Sequence, residues 1–317
     1  MTHHLRRLAI AGIAVLAGAA FLATVAAAMH FTAWGPVVVA EPAGTNSVNT
    51  AAHDGCPIES PDGLSLFIAS NRDGYTGSTR NLDIWVATRA SVDAPWGAPQ
   101  NLGEPINTGA DEFCPTPVRG NGLFFVSRKA GGCGLGDVYF TRRNPVHGWS
   151  EPQNLGCAPT GPNSDLDEQG PSYFETGAGA QLYFSRSRTA AQGGAVPGDI
   201  VASELSGGGF GPASAVAELN STSNDIQPNV RKDGREVVFS SNRAGGQGSQ
   251  DIWVSTRAST DDPWSAPVNL GTNVNSANSE SRPSLSWDAK TLYLGITPPA
   301  GPPGDVYVTT REKANGK

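Results

Sequence analysis

Trp264-Ser265-Ala266-Pro267-Val268-Asn269-Leu270-Gly271 decides the fold, because its pattern returns at intervals and once out of place. A tryptophan, a small residue and a proline stand together at Trp96, Trp149 and Trp264, with a degenerate copy at Phe210. Each copy closes a repeated unit. The same residues stand at Trp34-Gly35-Pro36-Val37-Val38-Val39, ahead of every other part of the repeat. The last repeat reaches Arg311 without a closing strand of its own. The early copy supplies it: Val37–Val39 is expected beside Val306–Thr310, with 45–49 as the link into the first unit.

Working outward, each unit opens with an acid three residues before a proline, at Asp54, Glu112, Glu168, Asp225 and Glu280. A short β-rich run follows, such as Leu64–Ser70 or Glu236–Ser241. A Gly-rich loop then leads to an Asp-aliphatic-aromatic strand, as in Asp83-Ile84-Trp85 and Asp251-Ile252-Trp253. These aspartates, from Asp83 to Asp305, are spaced 54, 62, 52 and 54 residues apart. Four short strands per period of about 50 residues, without helical periodicity, describe a propeller blade. The expected fold is all-β, a five-bladed β-propeller of four-stranded blades closed by the N-terminal strand. The blades fall at about 53–103, 111–156, 167–220, 224–271 and 279–311, the last completed by 34–40, in one domain spanning 34–311. Closure of this kind removes the open sheet edge of the final blade.

Location can also be read. Arg6-Arg7 precedes an uncharged apolar stretch from Leu8 to Met29 that ends in Ala26-Ala27-Ala28. Residues 1–28 read as an export signal cut after Ala28, or as a retained membrane anchor, since 22 apolar residues are long enough to span a bilayer. The protein is expected to be exported, whether extracellular, periplasmic or attached to the cell envelope, with the membrane engaged only through that segment. The formal charge is -7, and near -9 once Arg6 and Arg7 are removed, which disfavours a nucleic-acid partner.

Four cysteines suit an oxidising compartment. Cys56 and Cys114 hold the same repeat position in adjacent blades, immediately before the proline. Cys133, in the loop between the second and third strands of blade two, and Cys157, after its outer strand, emerge on one face. The expected pairs are Cys56 with Cys114 and Cys133 with Cys157. No CxxC or CxxH spacing indicates a metal, and neither a metal nor a cofactor is expected. The acidic run Asp165, Asp167 and Glu168 lacks the spacing of a calcium loop and reads as solvated.

Ser60-Pro61-Asp62-Gly63, Phe239-Ser240-Ser241-Asn242-Arg243 and Asp251-Ile252-Trp253-Val254 resemble the WD40-like repeats called PD40, found in the propeller of TolB. The resemblance covers essentially all of 34–311. It implies a platform that binds a protein or another envelope component, without catalysis; the chain is expected to be a monomer.

Symmetry separates scaffold from site: a residue type present in every blade is there because every blade needs it, while a site needs unlike residues in one place. The acids Asp54, Glu112, Glu168, Asp225 and Glu280 enter the innermost strands from one face. Either they encircle the channel mouth as a negative funnel, or they pair with arginines at the ends of second strands, Arg72, Arg128, Arg186 and Arg243. Pro298 stands where blade five would carry that arginine, so Glu280 is the acid expected to be free. Strand alternation puts the residues flanking the proline on the acid's side. Gln227, Asn229, Glu280 and Arg282 are therefore the candidate contacts for a ligand in the channel, the alternative being a solvated channel. No catalytic residue is assigned. The alternative function is a polysaccharide-active enzyme, a glycoside hydrolase or lyase, using two channel carboxylates with Tyr173 or Trp287 stacking a sugar.

Overall fold

The computed structural model describes residues 31–314 except 42–46, 78–79, 178, 189–193 and 302. The apolar segment and its cleavage site lie outside the described residues. The described chain forms five antiparallel sheets arranged as the blades of a propeller, and no helix. Blade one is β2 (Asp54–Glu59), β3 (Ser65–Ser70), β4 (Asp83–Thr88) and β5 (Gln100–Asn101). Blade two is β6 (Glu112–Val118), β7 (Gly122–Ser127), β8 (Asp137–Asn144), β9 (Gly148–Trp149) and β10 (Gln153–Asn154). Blade three is β11 (Asp167–Thr176), β12 (Gly179–Arg188), β13 (Val196–Ser206), β14 (Gly209–Phe210) and β15 (Ser214–Ala215). Blade four is β16 (Asp225–Val230), β17 (Glu236–Ser241), β18 (Asp251–Thr256) and β19 (Val268–Asn269). Blade five is β20 (Ser279–Leu285), β21 (Thr291–Thr297) and β22 (Asp305–Thr310), completed by β1 (Val38–Val39). Strand β1 pairs antiparallel with β22, Val38 opposite Val308 and Val39 opposite Tyr307, which is the wrapping expected from the displaced copy of the closing motif.

Buried side chains form an apolar cluster between each neighbouring pair of blades, with a second one between blades one and two. Trp85 packs with Tyr293 and Val306 between blades one and five, and Trp253 with Phe174 and Tyr183 between blades four and three. Trp34 lies against Val238, Ile252 and Val254, so the N-terminal segment seals the joint between blades four and five. Each of these tryptophans is under 8% exposed, and burial of such a side chain stabilises by about 2 kcal/mol or more.

The links between blades carry a repeat of their own, Asn-(Ser/Thr)-x-x-x-(Asp/Glu). In blade two the Asn107 amide accepts from Ile84 N–H at 2.8 Å and donates to Ile84 O at 2.9 Å. It thereby satisfies both backbone groups of the aliphatic residue in the preceding blade's third strand. Asn49, Asn163, Asn220 and Asn275 do the same for Val306, Val138, Ile200 and Ile252. The next residue's hydroxyl donates to the acid four positions on: Thr50 to Asp54 at 2.8 Å, Thr108 to Glu112 at 2.9 Å, Ser221 to Asp225 at 2.7 Å, Ser276 to Glu280 at 2.6 Å, and Ser164 to Glu168. The acids thus end a link and start a strand, a local role that every blade requires.

Candidate functional site

The five acids do not open into the channel. Asp54, Glu112, Glu168, Asp225 and Glu280 are all fully buried. Arg72 reaches Asp54 at 2.6 Å and Arg186 reaches Glu168 at 3.2 Å, while Arg243 contacts Asp225. These arginines also bond carbonyls of the link, as Arg72 does with Val48 O at 2.6 Å. They brace the inside of a blade against its entering link instead of tying two blades directly. Arg128 departs from the expected pattern and bridges Asp111 at 3.0 Å and Asp167 of the next blade at 2.7 Å. Glu112 receives the Ser127 hydroxyl at 2.5 Å in its place. Asp167 is accordingly buried and paired and not solvated, as is Glu168, while Asp165 pairs with Arg188 at 2.8 Å. Among the described residues Glu280 has no cation partner, in line with the proline at position 298, but it is closed off from solvent. Burial pushes Glu112 and Glu280 above the usual carboxylate range. It lifts Glu168 to about 7 against the opposing Ser164 hydroxyl and Arg186.

Alternation misplaced the acids because every inner strand carries a bulge at its proline. The register shifts between Gly55 and Ile58 and at the four equivalent places. The residue before the proline is left-handed in each blade: φ is 48° at Cys56 and Cys114, 60° at Gly170, and 55° at Gln227 and Arg282. An extra residue in one strand re-aims its side chains. The acid turns into the blade, while the residues flanking the proline, and the prolines themselves, face the axis.

Those residues bind one another around the ring. Thr116 donates its hydroxyl to Pro171 O. Ser172 accepts from Val230 N–H at 2.8 Å, Asn229 from Leu285 N–H at 2.9 Å, and Ser284 donates to Pro57 O at 2.6 Å. Four of the five joints are closed in this way. The fifth, between blades one and two, has Ile58 at the equivalent position, and there the Cys56–Cys114 disulfide makes the link. Cys133 and Cys157 form the second disulfide. Gln227 accepts from Arg282 N–H at 3.2 Å and lies 3.3 Å from Gln169. Arg282 is held down to about 10 by burial, with Arg128 nearby. The throat left between these residues is about 30 Å³, room for about one water.

The large concavity lies at the other end. A cleft of about 1420 Å³ opens where the inner strands run out into their turns. The seven-residue strand Glu112–Val118 puts this face about 20 Å from the acid at a rise of about 3.4 Å per residue. The signal for it is in the sequence, at the fourth residue after each inner-strand proline: Pro61, Arg119, Glu175, Lys232 and Trp287. Five unlike residues hold one repeat position, the opposite of the acid ring. Four of them line the cleft.

Arg119 of blade two and Lys232 of blade four both lie over the indole of Trp287 of blade five, at 4.9 and 5.1 Å from its centroid. Lys232 Nζ also donates to Tyr173 O at 2.9 Å, and burial lowers it to about 8. Residues from blades two to five therefore meet near the axis. Outward between blades two and three, Phe124 stacks on Tyr173 at 5.4 Å, beside Phe140 and Phe210. Among the described residues Arg119, Arg142 and Lys232 have no carboxylate partner within ion-pair distance. Of the cleft's acids, Asp233 is held low because its Arg231 bond outweighs burial. Asp288 is low because Lys290 N–H and the Ser286 hydroxyl do the same. Tyr173 and Trp287, the two aromatics expected to stack a sugar beside the channel acids, sit in this cleft and are separated from those acids by the length of the inner strands. Among the described residues no cluster of metal-ligating side chains is present.

No family model and no curated protein matches the chain, so the PD40 assignment rests on the repeat motifs alone. Among solved structures, the catalytic domain of a GH62 α-L-arabinofuranosidase from Coprinopsis cinerea is similar at TM-score 0.52 and 12% identity. The alignment covers 91% of this chain and 100% of that one. An α-L-arabinofuranosidase from Lactobacillus brevis gives TM-score 0.51 and 12% identity over 83% of this chain and 92% of its own. The TolB structure from Agrobacterium tumefaciens gives 0.46 and 15% over 84% and 79%. At these identities the first two likenesses show a shared five-bladed propeller fold.

Proposed function

We propose that the protein is an exported, non-catalytic propeller that binds its ligand or partner outside the cytoplasmic membrane through the cleft on its turn face. The observation that carries this reading is the use made of the repeat acids. All five are buried and bonded to their own links, and the throat beside them holds about 30 Å³, too little for a sugar ring. Two disulfides and the apolar N-terminal segment support export.

The glycosidase reading is favoured by the neighbours whose names describe such enzymes. It needs two carboxylates on either side of a bond, one of them raised to act as acid. Of the five repeat acids, the raised carboxyls Glu112, Glu168 and Glu280 lie at the closed end. Glu59, raised by burial at the turn end of β2, is bonded to Arg89 and Tyr293 and does not line the cleft. In the open cleft Asp233 and Asp288 are both low.

The test is incubation of purified protein with arabinoxylan and xylan, measuring reducing ends. No release is expected. Release that disappears in Glu280→Gln or Glu112→Gln would move the reading to the enzyme.

A further inference from the structure

We propose that the turn-face cleft binds a segment of an anionic saccharide chain, one carrying uronic-acid carboxylates, with a carboxylate held by Arg119 and Lys232 above Trp287. The inference rests on the reading of that cleft as the ligand face and names what it takes.

The charge is the first observation. The chain is formally -7, yet five cations against three carboxylates line this one cleft. Arg119 and Arg142 are exposed side chains without a carboxylate partner among the described residues. Each rests on an aromatic face, Arg119 on Trp287 at 4.9 Å and Arg142 on Phe140 at 5.2 Å. A guanidinium lying on a ring leaves its edge to donate, because the cation–π attraction uses its face; Arg142 gives one donor, Nη1, to Gly120 O at 3.3 Å and keeps the others. An arriving carboxylate therefore meets donors already positioned over a flat apolar plane.

The size is the second. About 1420 Å³ exceeds the roughly 300–1,000 Å³ of an ordinary small-molecule pocket, and suits several linked units better than a single metabolite.

The mixture of groups is the third. Glu175 and Asp233 are exposed among the cations, and they would repel an acidic peptide. A sugar bearing both carboxylate and hydroxyls uses both signs, since its hydroxyls donate to the protein carboxylates while its carboxylate accepts from the cations. Peptide capture in an extended form draws on a free sheet edge, whereas the axial residues of this cleft stand on turn tips. The repeat position is the fourth observation: Pro61, Arg119, Glu175, Lys232 and Trp287 have diverged where the fold demands nothing of them in common.

The experiment is titration calorimetry of the full chain, in mild detergent, with hexagalacturonate, neutral cellohexaose and a hexaglutamate peptide. Hexagalacturonate is expected to bind at least tenfold more tightly than either other probe, and to weaken as salt rises. Arg119→Gln and Arg142→Gln, both at exposed sites, should each weaken it about tenfold without changing the urea midpoint. Equal binding of cellohexaose, loss of neither variant's affinity, or no binding of any probe overturns the assignment of the ligand. Binding of hexaglutamate alone also overturns it, but leaves a binding module in place. Shortened galacturonides appearing during incubation overturn the non-catalytic reading instead.

Discussion

Arg311→Ala tests how the ring is locked. The Arg311 guanidinium pairs with Glu236 of blade four through two bonds, Nη1 to Oε1 at 2.7 Å and Nη2 to Oε2 at 2.8 Å. Its Nε donates to Ala289 O at 2.8 Å. Its face is covered by Phe31 at 4.0 Å and Trp34 at 4.2 Å. One buried side chain thus joins the end of blade five, the second strand of blade four and the N-terminal segment that completes the sheet. Removing one partner of a buried pair costs about 3–5 kcal/mol, because the other charge stays buried. Arg231 remains on Glu236 at 2.8 Å and recovers part of that, whereas the lost stacking on two rings adds up to about 2 kcal/mol. A loss of about 3–4 kcal/mol is expected, or more than 1 M in the urea midpoint at a slope of about 2–3 kcal/mol per M. The assay is equilibrium unfolding followed by tryptophan fluorescence, with Lys290→Ala as control. The Lys290 pair with Glu312 is solvent-exposed, and its removal should leave the urea midpoint nearly unchanged. Arg311→Met combined with Glu236→Leu should recover part of the loss, since the only charge that then loses a partner, Arg231, keeps Asp233 at 2.7 Å. If Arg311→Ala costs no more than Lys290→Ala, the proposed lock does not hold the ring closed.

Asn107→Ala leaves Ile84 N–H and C=O without their partner and should cost about 2–4 kcal/mol by thermal or urea unfolding; a neutral result would show that water replaces the amide. Replacing Cys56 and Cys114 together by serine opens a loop of 58 residues and should cost about 4 kcal/mol by loop closure. The loop of 24 residues closed by Cys133 and Cys157 should cost about 3 kcal/mol, so the ranking of the two double variants is itself the check. Glu168, whose folded value is raised from 4.5 to about 7, binds a proton in the folded state that the unfolded chain has already released. Stability should therefore fall as pH rises from about 4.5 through about 7, the other raised carboxyls adding in the same direction. Glu168→Gln should flatten that profile between pH 5 and 7.5, and a rise in stability over this range would mean that Glu168 is ionised against Arg186.

What the repeats dictated was everything that each blade must do alike. Trp264 and Trp34 open equivalent segments, so the closure of β1 on β22 could be read before any coordinate was known. The cysteine pairs followed from counting positions within the repeat. The acid ring was legible as a repeat and misread as a surface, because a one-residue bulge at each proline is invisible to a period-two pattern, and it turns Asp54, Glu112, Glu168, Asp225 and Glu280 into the blades. Arg128 escaped for a related reason: Asp111 and Asp167 compete with Glu112 for it, and only packing between blades two and three decides that competition. The variation at Pro61, Arg119, Glu175, Lys232 and Trp287 was present in the chain, yet sequence alone attaches no place to it. Four of them, Arg119, Glu175, Lys232 and Trp287, lie far apart along the polypeptide and become neighbours only because the inner strands point their turns toward one axis. Local hydrogen-bonding patterns repeat and so can be read from composition and spacing. Convergence at an axis is a property of the closed ring, and the tertiary structure alone supplies it.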